Sequence, residues 1–187
     1  MSQVRKDAIR NRRAIVDAAR ELFAESDDVS MCEVARHARV GQATLYRNFP
    51  NRTALAGEVL AEHIERIAEI GAQCAGDDFA FFVLLRKLVD GLVDLYALGE
   101  LARQDAEAGS QLERNRERVA AVMKQPLALA KAAGALRRDT SMDDVFLVLL
   151  MVRGAMERAH GTAARASAAN RALTLVLEGL MPPSGSI

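Results

Sequence analysis

Tryptophan is absent from this 187-residue chain, and two tyrosines and six phenylalanines make up all its aromatics, so no core can rest on stacked rings. Its four prolines and twelve glycines are too few for a turn-rich all-β chain or a linker protein. Two cysteines, Cys32 and Cys74, form no CxxC, which excludes a disulfide framework and a thiolate metal knuckle. The three histidines, His37, His63 and His160, lie too far apart in sequence to share a helix face, so no helical metal site is expected and no cofactor is implied. Net charge is zero, and the longest apolar runs fall far short of the ~20 residues of a membrane span. Together with the charged N-terminus, which does not suit a signal peptide, this leads us to expect a cytoplasmic protein with no membrane partner.

Half of the residues are hydrophobic, and Ala, Leu, Arg and Glu dominate, which is the composition of an all-α protein with a sizeable core. The neutral total hides an asymmetry. Residues 1–52 hold ten of the 25 basic residues and seven of the 25 acidic ones, leaving fifteen and eighteen for the rest. The first thirteen residues carry Arg5, Lys6, Arg10, Arg12 and Arg13 against Asp7 alone, which suits either a flexible basic arm entering a minor groove or a solvated tail.

The densest information lies in residues 30–49. Ser30 with Glu33 three residues on is a capping box, and Val29 can staple against Val34, so a helix should begin at Ser30 and bury Val34 and Ala35. His37 to Gly41 interrupts it. A second helix should run from Gln42 to about Asn48, with Leu45 and Phe49 inward and Ala43, Thr44, Tyr46 and Arg47 outward. Two short helices around a tight turn, with hydroxyl, phenol and guanidinium donors facing out, suit phosphates and base edges of DNA. The same face could also be plain solvated surface.

The stretch Ala43-Thr44-Leu45-Tyr46-Arg47-Asn48-Phe49-Pro50-Asn51-Arg52, preceded by Arg13 to Ala24, resembles the DNA-binding domain of the TetR family of transcriptional regulators over roughly Arg10 to Leu60. The resemblance implies a helix-turn-helix domain, residues 1–52, followed by a larger helical-bundle ligand-binding and dimerisation domain, residues 53–187. It implies that Gln42, Ala43, Thr44, Tyr46, Arg47 and Asn48 face the major groove and that Arg52 meets a phosphate. Two positions depart from the family pattern: Arg39 stands where a turn glycine is usual, and Gly41 where a Ser or Thr cap is usual. Arg39 is a further candidate phosphate contact, provided the turn tolerates a side chain.

Beyond Arg52, Asn51 caps a helix reaching about Gln73, with Leu55, Val59, Leu60, Ile64, Ile67 and Ile70 on one stripe. A single nearly apolar helix is expected over Phe79 to Leu98, and another over Gln111 to Ala133 that Pro126 should bend, with Gly134 as its C-cap. Phe82, Leu85, Val89, Tyr96, Met123 and Leu127 carry the broadest apolar faces there, so they are the candidate lining for a small apolar effector, unless they are simply packed core. Ser141 with Asp144 opens a helix whose run Val145 to Val152 has no polar face. A last helix, about Ala168 to Met181, stopped by Pro182-Pro183, puts Ala169, Ala172, Leu173, Val176, Leu177 and Leu180 on one stripe. Two such helices from each of two chains would close a four-helix bundle, the layout of this family's usual dimer; an intrachain core is the other reading. The partners expected are therefore palindromic double-stranded DNA, a second copy of the chain, and a small molecule that releases a repressor from its operator. No glycine-rich phosphate loop or nucleophile elbow supports an enzyme. A helical adaptor that binds only protein is the remaining alternative, and it has no use for outward Thr44, Tyr46 and Arg47.

Overall fold

In the computed structural model, residues 3–26, 28–104 and 108–181 are described, with side chains for 6–26, 28–100 and 113–181. The expected run of helices without strands is what the described residues show: α1 Gln3–Glu25, α2 Met31–His37, α3 Gln42–Asn48, α4 Arg52–Gln73, α5 Ala80–Asp94, α6 Tyr96–Gln104, α7 Ala108–Ala132, α8 Met142–Met156 and α9 Thr162–Leu180. Among them no helix is long and apolar enough to cross a membrane, and no three metal-ligating side chains converge.

The chain forms two compact units. The first comprises Met1–His63 and Asp94–Asn115. Its core takes Ile15, Val16, Ala19 and Phe23 from α1, Val34 and Ala35 from α2, Leu45 and Phe49 from α3, and Leu55 and Val59 from α4, closed by Leu95 and Leu98. These positions repeat at three- and four-residue intervals, so each helix buries one stripe. The second unit comprises Ile64–Val93 and Arg116–Ile187. There α5 buries Phe81, Leu84, Leu85, Leu88 and Val89, and α7 buries Met123, Leu127 and Ala130. Helix α8 packs along α9, with Val145, Val148, Val152 and Met156 buried on one and Arg165, Ala169 and Leu173 on the other.

Four expectations are corrected. Residues 3–13 belong to α1 and not to a flexible arm, because the charged stretch continues in register into the apolar stripe of the same helix. The expected helix from Phe79 to Leu98 is broken at Leu95, since its two parts serve different cores: Leu84 and Leu88 that of the second unit, Leu95 and Leu98 that of the first. Phe79, expected in the apolar interior, is 68% exposed. Helix α9 starts at Thr162, six residues before the expected Ala168, because Ala163, Ala164, Ala166 and Ala168 favour helix without contributing to the stripe. Gly161, at φ 84°, takes the backbone conformation that lets the chain enter it. The Pro182-Pro183 stop lies outside the described residues.

The run Val145 to Val152 is only half covered. Leu147, Leu150 and Met151 are 50%, 61% and 42% exposed, and Leu175 on α9 is 50% exposed. The second unit also contains a cavity of about 210 Å³ lined by Ala68 and Gly71 of α4, Cys74, Ala80 of α5, and Val122, Gln125 and Pro126 of α7, among other residues. Pro126 has no N–H to return to the carbonyl of Val122, so the helix is weakened where it borders this cavity.

Candidate nucleic-acid interface

Helix α2 is set by its capping box. The Ser30 hydroxyl accepts from the Glu33 N–H at 3.2 Å, and the Glu33 carboxylate accepts from the Ser30 N–H at 2.8 Å. That backbone donor, followed by the Ser30 hydroxyl, holds the Glu33 carboxyl below its ordinary value. The helix ends in a left-handed cap. Val40 N–H donates to the carbonyl of Ala35 at 3.0 Å and Arg39 N–H to that of Arg36 at 3.2 Å, a Schellman closure with Arg39 at φ 55°. The turn therefore accepts an arginine where glycine is the easier residue, and the Arg39 side chain is left exposed.

Helix α3 begins at Gly41, which gives no side-chain cap, and the carbonyl of Gly41 accepts from Thr44 at 2.9 Å and Leu45 at 3.1 Å. Leu45 and Phe49 are buried, which turns the opposite face outward: Gln42, Ala43, Tyr46 and Arg47 are exposed, and Thr44 and Asn48 are half-buried. The outward side chains are not all idle. The Asn48 amide donates to the Thr44 carbonyl at 2.7 Å, and Arg47 folds along its own helix, Nε donating to the Ala43 carbonyl and a terminal nitrogen to the Thr44 hydroxyl, both at 3.1 Å. The Gln42 amide nitrogen donates to Sγ of Cys32 on α2 at 2.8 Å.

Sequence reasoning passed over four residues that hold this reader in place. Arg12 of α1 lies 4.5 Å over the Phe49 ring, pairs with Glu58 of α4 at 3.0 Å, and points a terminal nitrogen at the Asn48 carbonyl at 3.4 Å. One side chain thus ties α1, the end of α3 and α4 together. Across α1 and α2, His37 and Glu21 are 3.0 Å apart. Arg12 and Asn48 are 36 residues apart, so no local spacing marks the pair. Arg52 sits at the start of α4 with its guanidinium 4.8 Å over the Phe23 ring, half-buried.

The six candidate effector residues do not form one group. Leu85, Val89, Met123 and Leu127 are buried in the second unit, and Phe82 is half-buried there, edge-on to Phe81 with centroids 5.4 Å apart. Tyr96 falls in the first unit. None of the six lines the 210 Å³ cavity, whose wall is small apolar residues with Gln125 and Cys74 as its polar groups.

Comparison with known proteins agrees with this architecture. Residues 15–59 match the family model of bacterial regulatory proteins, tetR family, and residues 78–182 match the C-terminal domain of SbtR-like transcriptional regulators. An HTH-type transcriptional regulator of Staphylococcus aureus (strain bovine RF122 / ET3-1) is 28% identical over 109 residues, 57% of this chain; the match spans 59% of that relative's length. Among solved structures, a TetR transcriptional regulator from Streptomyces coelicolor superposes with a TM-score of 0.68 at 28% identity, covering 92% of this chain and 99% of that one. A TetR transcription regulatory protein from Mycobacterium vanbaalenii gives 0.66 at 27% identity, over 96% and 99%. With family models covering both the α1–α4 reader and the helices beyond it, the chain belongs to the TetR family of bacterial regulatory proteins.

Proposed function

We propose that the chain is a DNA-binding transcriptional regulator, a repressor that a small-molecule effector releases from its operator, with residues 1–52 reading DNA and residues 53–187 carrying ligand binding and dimerisation. The observation that carries this reading is the outward face of α3, where Gln42, Ala43, Tyr46 and Arg47 are exposed while Leu45 and Phe49 anchor the helix from behind. Hydroxyl, amide and guanidinium groups on such a face match the acceptors and donors of a major groove. Thr44, Asn48, Arg39 and Arg52 border it as backbone contacts, positioning the helix without reading sequence.

Dimerisation is supported by the uncovered apolar strip Leu147, Leu150, Met151 and Leu175 on the last two helices. A two-fold pair of readers would meet a palindrome with half-sites about 34–36 Å apart. An effector that prefers another spacing lowers DNA affinity by the same free energy with which DNA lowers its own binding. The interior of α5 and α7, around Phe82, Leu85, Val89, Met123 and Leu127, is our site for that effector. The apolar residues there suit a small neutral molecule.

The test is a titration of the purified chain against fragments selected from its source genome and against scrambled duplex, over a range of salt. Arg47→Ala and Tyr46→Ala should weaken the selected duplex more than the scrambled one. Arg52→Ala should weaken both alike and flatten the salt dependence, with circular dichroism as the control for its packing on Phe23. A wild-type chain that binds no duplex at low salt would overturn the reading and leave the adaptor in its place.

A further inference from the structure

Helix α9 carries two seams. Arg165, Ala169 and Leu173 are buried in the chain itself, and on a further side of the helix Asn170 accepts from Arg86 of α5 at 2.6 Å. The other seam is uncovered. Ala164, Ala168, Arg171, Leu175 and Glu178 follow one another at steps of four and three residues, the spacing by which one helix lies along another, and all but the half-buried Ala168 are exposed. Leu175 is 50% exposed, and a Cβ added at Gly179, one turn on, would meet nothing within 4 Å.

Opposite charges flank the leucine of this seam. Arg171 stands one turn before Leu175 and Glu178 about one turn after it, and among the described residues neither has an ion-pair partner. Such a pattern discriminates between the two directions in which a second copy of α9 can lie. Parallel, it sets arginine against arginine and glutamate against glutamate, which repel. Antiparallel, about a two-fold axis passing between Thr174 and Leu175, it sets Arg171 of each copy against Glu178 of the other, because positions 171 and 178 are equally far from that axis. Leu175 of one copy then meets Leu175 of the other near the axis, and the exposed Leu147, Leu150 and Met151 of α8 continue the apolar surface.

We propose that α9 is the helix by which this chain recognises itself: two copies lie antiparallel along the seam from Ala164 to Glu178, and two Arg171–Glu178 contacts fix their register and select a second copy of this chain over a partner without the pattern. The inference rests on the dimerisation reading of the last two helices and adds the direction, the register and the residues that choose the partner. Leucines supply the affinity. The charges supply the choice, since charged groups at the rim of an interface discriminate between partners more than they strengthen binding.

The experiment compares full-length wild type with Arg171→Glu, Glu178→Arg and the double variant carrying both, alone and mixed. Sedimentation velocity reads dimer affinity, and native mass spectrometry with one chain isotope-labelled reads mixed dimers. Each single reversal turns two attractions into two repulsions and should weaken its own dimer about tenfold at low salt, with the difference fading as salt rises. An equimolar mixture of the two single variants should form mixed dimers of wild-type affinity, because both contacts are attractive again. The double variant should dimerise like wild type yet not mix with it. A role for these residues within one chain would not let two weakened variants rescue each other. Both side chains are exposed, and circular dichroism checks that each variant folds. Where a reversal disturbs folding, Arg171→Gln and Glu178→Gln take its place: their dimers should lose the wild-type salt dependence, and an unchanged dependence overturns the pairing. Single variants that dimerise as wild type does, or whose mixture is no tighter than either alone, also overturn it. A wild type that stays monomeric overturns the dimer reading itself, and is seen before any variant is mixed.

Discussion

If the proposed dimer forms through α8 and α9, Leu150→Glu should split it while leaving each protomer folded. In one chain Leu150 is 61% exposed, so the substitution removes little of that chain's own packing. Burying a leucine side chain fully contributes about 1.5–3 kcal/mol, so the exposed part of Leu150 stands to contribute about 1–2 kcal/mol at an interface. A two-fold axis presents the residue twice, giving about 2–4 kcal/mol per dimer, and a tenfold change in affinity corresponds to about 1.4 kcal/mol. The expected loss is therefore about thirtyfold to a thousandfold. A carboxylate taken out of water without a partner adds to it. Sedimentation velocity from nanomolar to micromolar chain would read the shift, and circular dichroism would check folding. Leu173→Glu is the contrasting variant: Leu173 is 5% exposed between α8 and α9 of the same chain, so it should unfold that pair instead of separating folded protomers. A Leu150→Glu chain that sediments as a dimer over the wild-type range would refute the assignment of this strip to self-association.

Arg12→Ala should lower stability by about 1–2 kcal/mol, the sum of a partly exposed ion pair to Glu58 and a cation–π contact on Phe49, seen as a downward shift in the urea midpoint; Arg12→Lys should recover only the charge component, and an unchanged midpoint in both would show that the clamp is idle. Arg39→Gly should raise stability slightly, by less than about 1 kcal/mol, because relief of the left-handed backbone exceeds glycine's added freedom in the unfolded chain; Arg39→Val should lower it, and the reverse order in thermal melts would contradict the Schellman geometry. Acid should loosen both capped helices. Ser30 and Ser141 hold the carboxyls of Glu33 and Asp144 below their ordinary values of 4.5 and 3.8, so their stabilisation is complete above those values and is lost as pH falls through the lower folded ones. The double variant Ser30→Ala, Ser141→Ala, which keeps the backbone donors, should be less stable at neutral pH and should lose less stability on acidification than the wild type; equal slopes would remove the serine hydroxyls as a cause.

The sequence determined the local parts of this protein. Ser30 with Glu33 and Ser141 with Asp144 announce helix starts, because a capping box is satisfied within four residues, and both boxes form. The outward face of α3 follows in the same way from Leu45 and Phe49 one turn apart. What the tertiary structure decided is whatever depends on residues distant in the chain. The break at Leu95 was invisible because Phe79 to Leu98 reads as one apolar run, and only the existence of two cores divides it. Arg12 reads as one more basic residue until Asn48, Phe49 and Glu58 are brought to it. Likewise the apolar run from Val145 to Val152 indicates that two faces need cover, but the chain's own packing buries Val145, Val148 and Val152 and leaves Leu147, Leu150 and Met151 in water. Periodicity reports which residues share a face of a helix; only packing decides what each face meets.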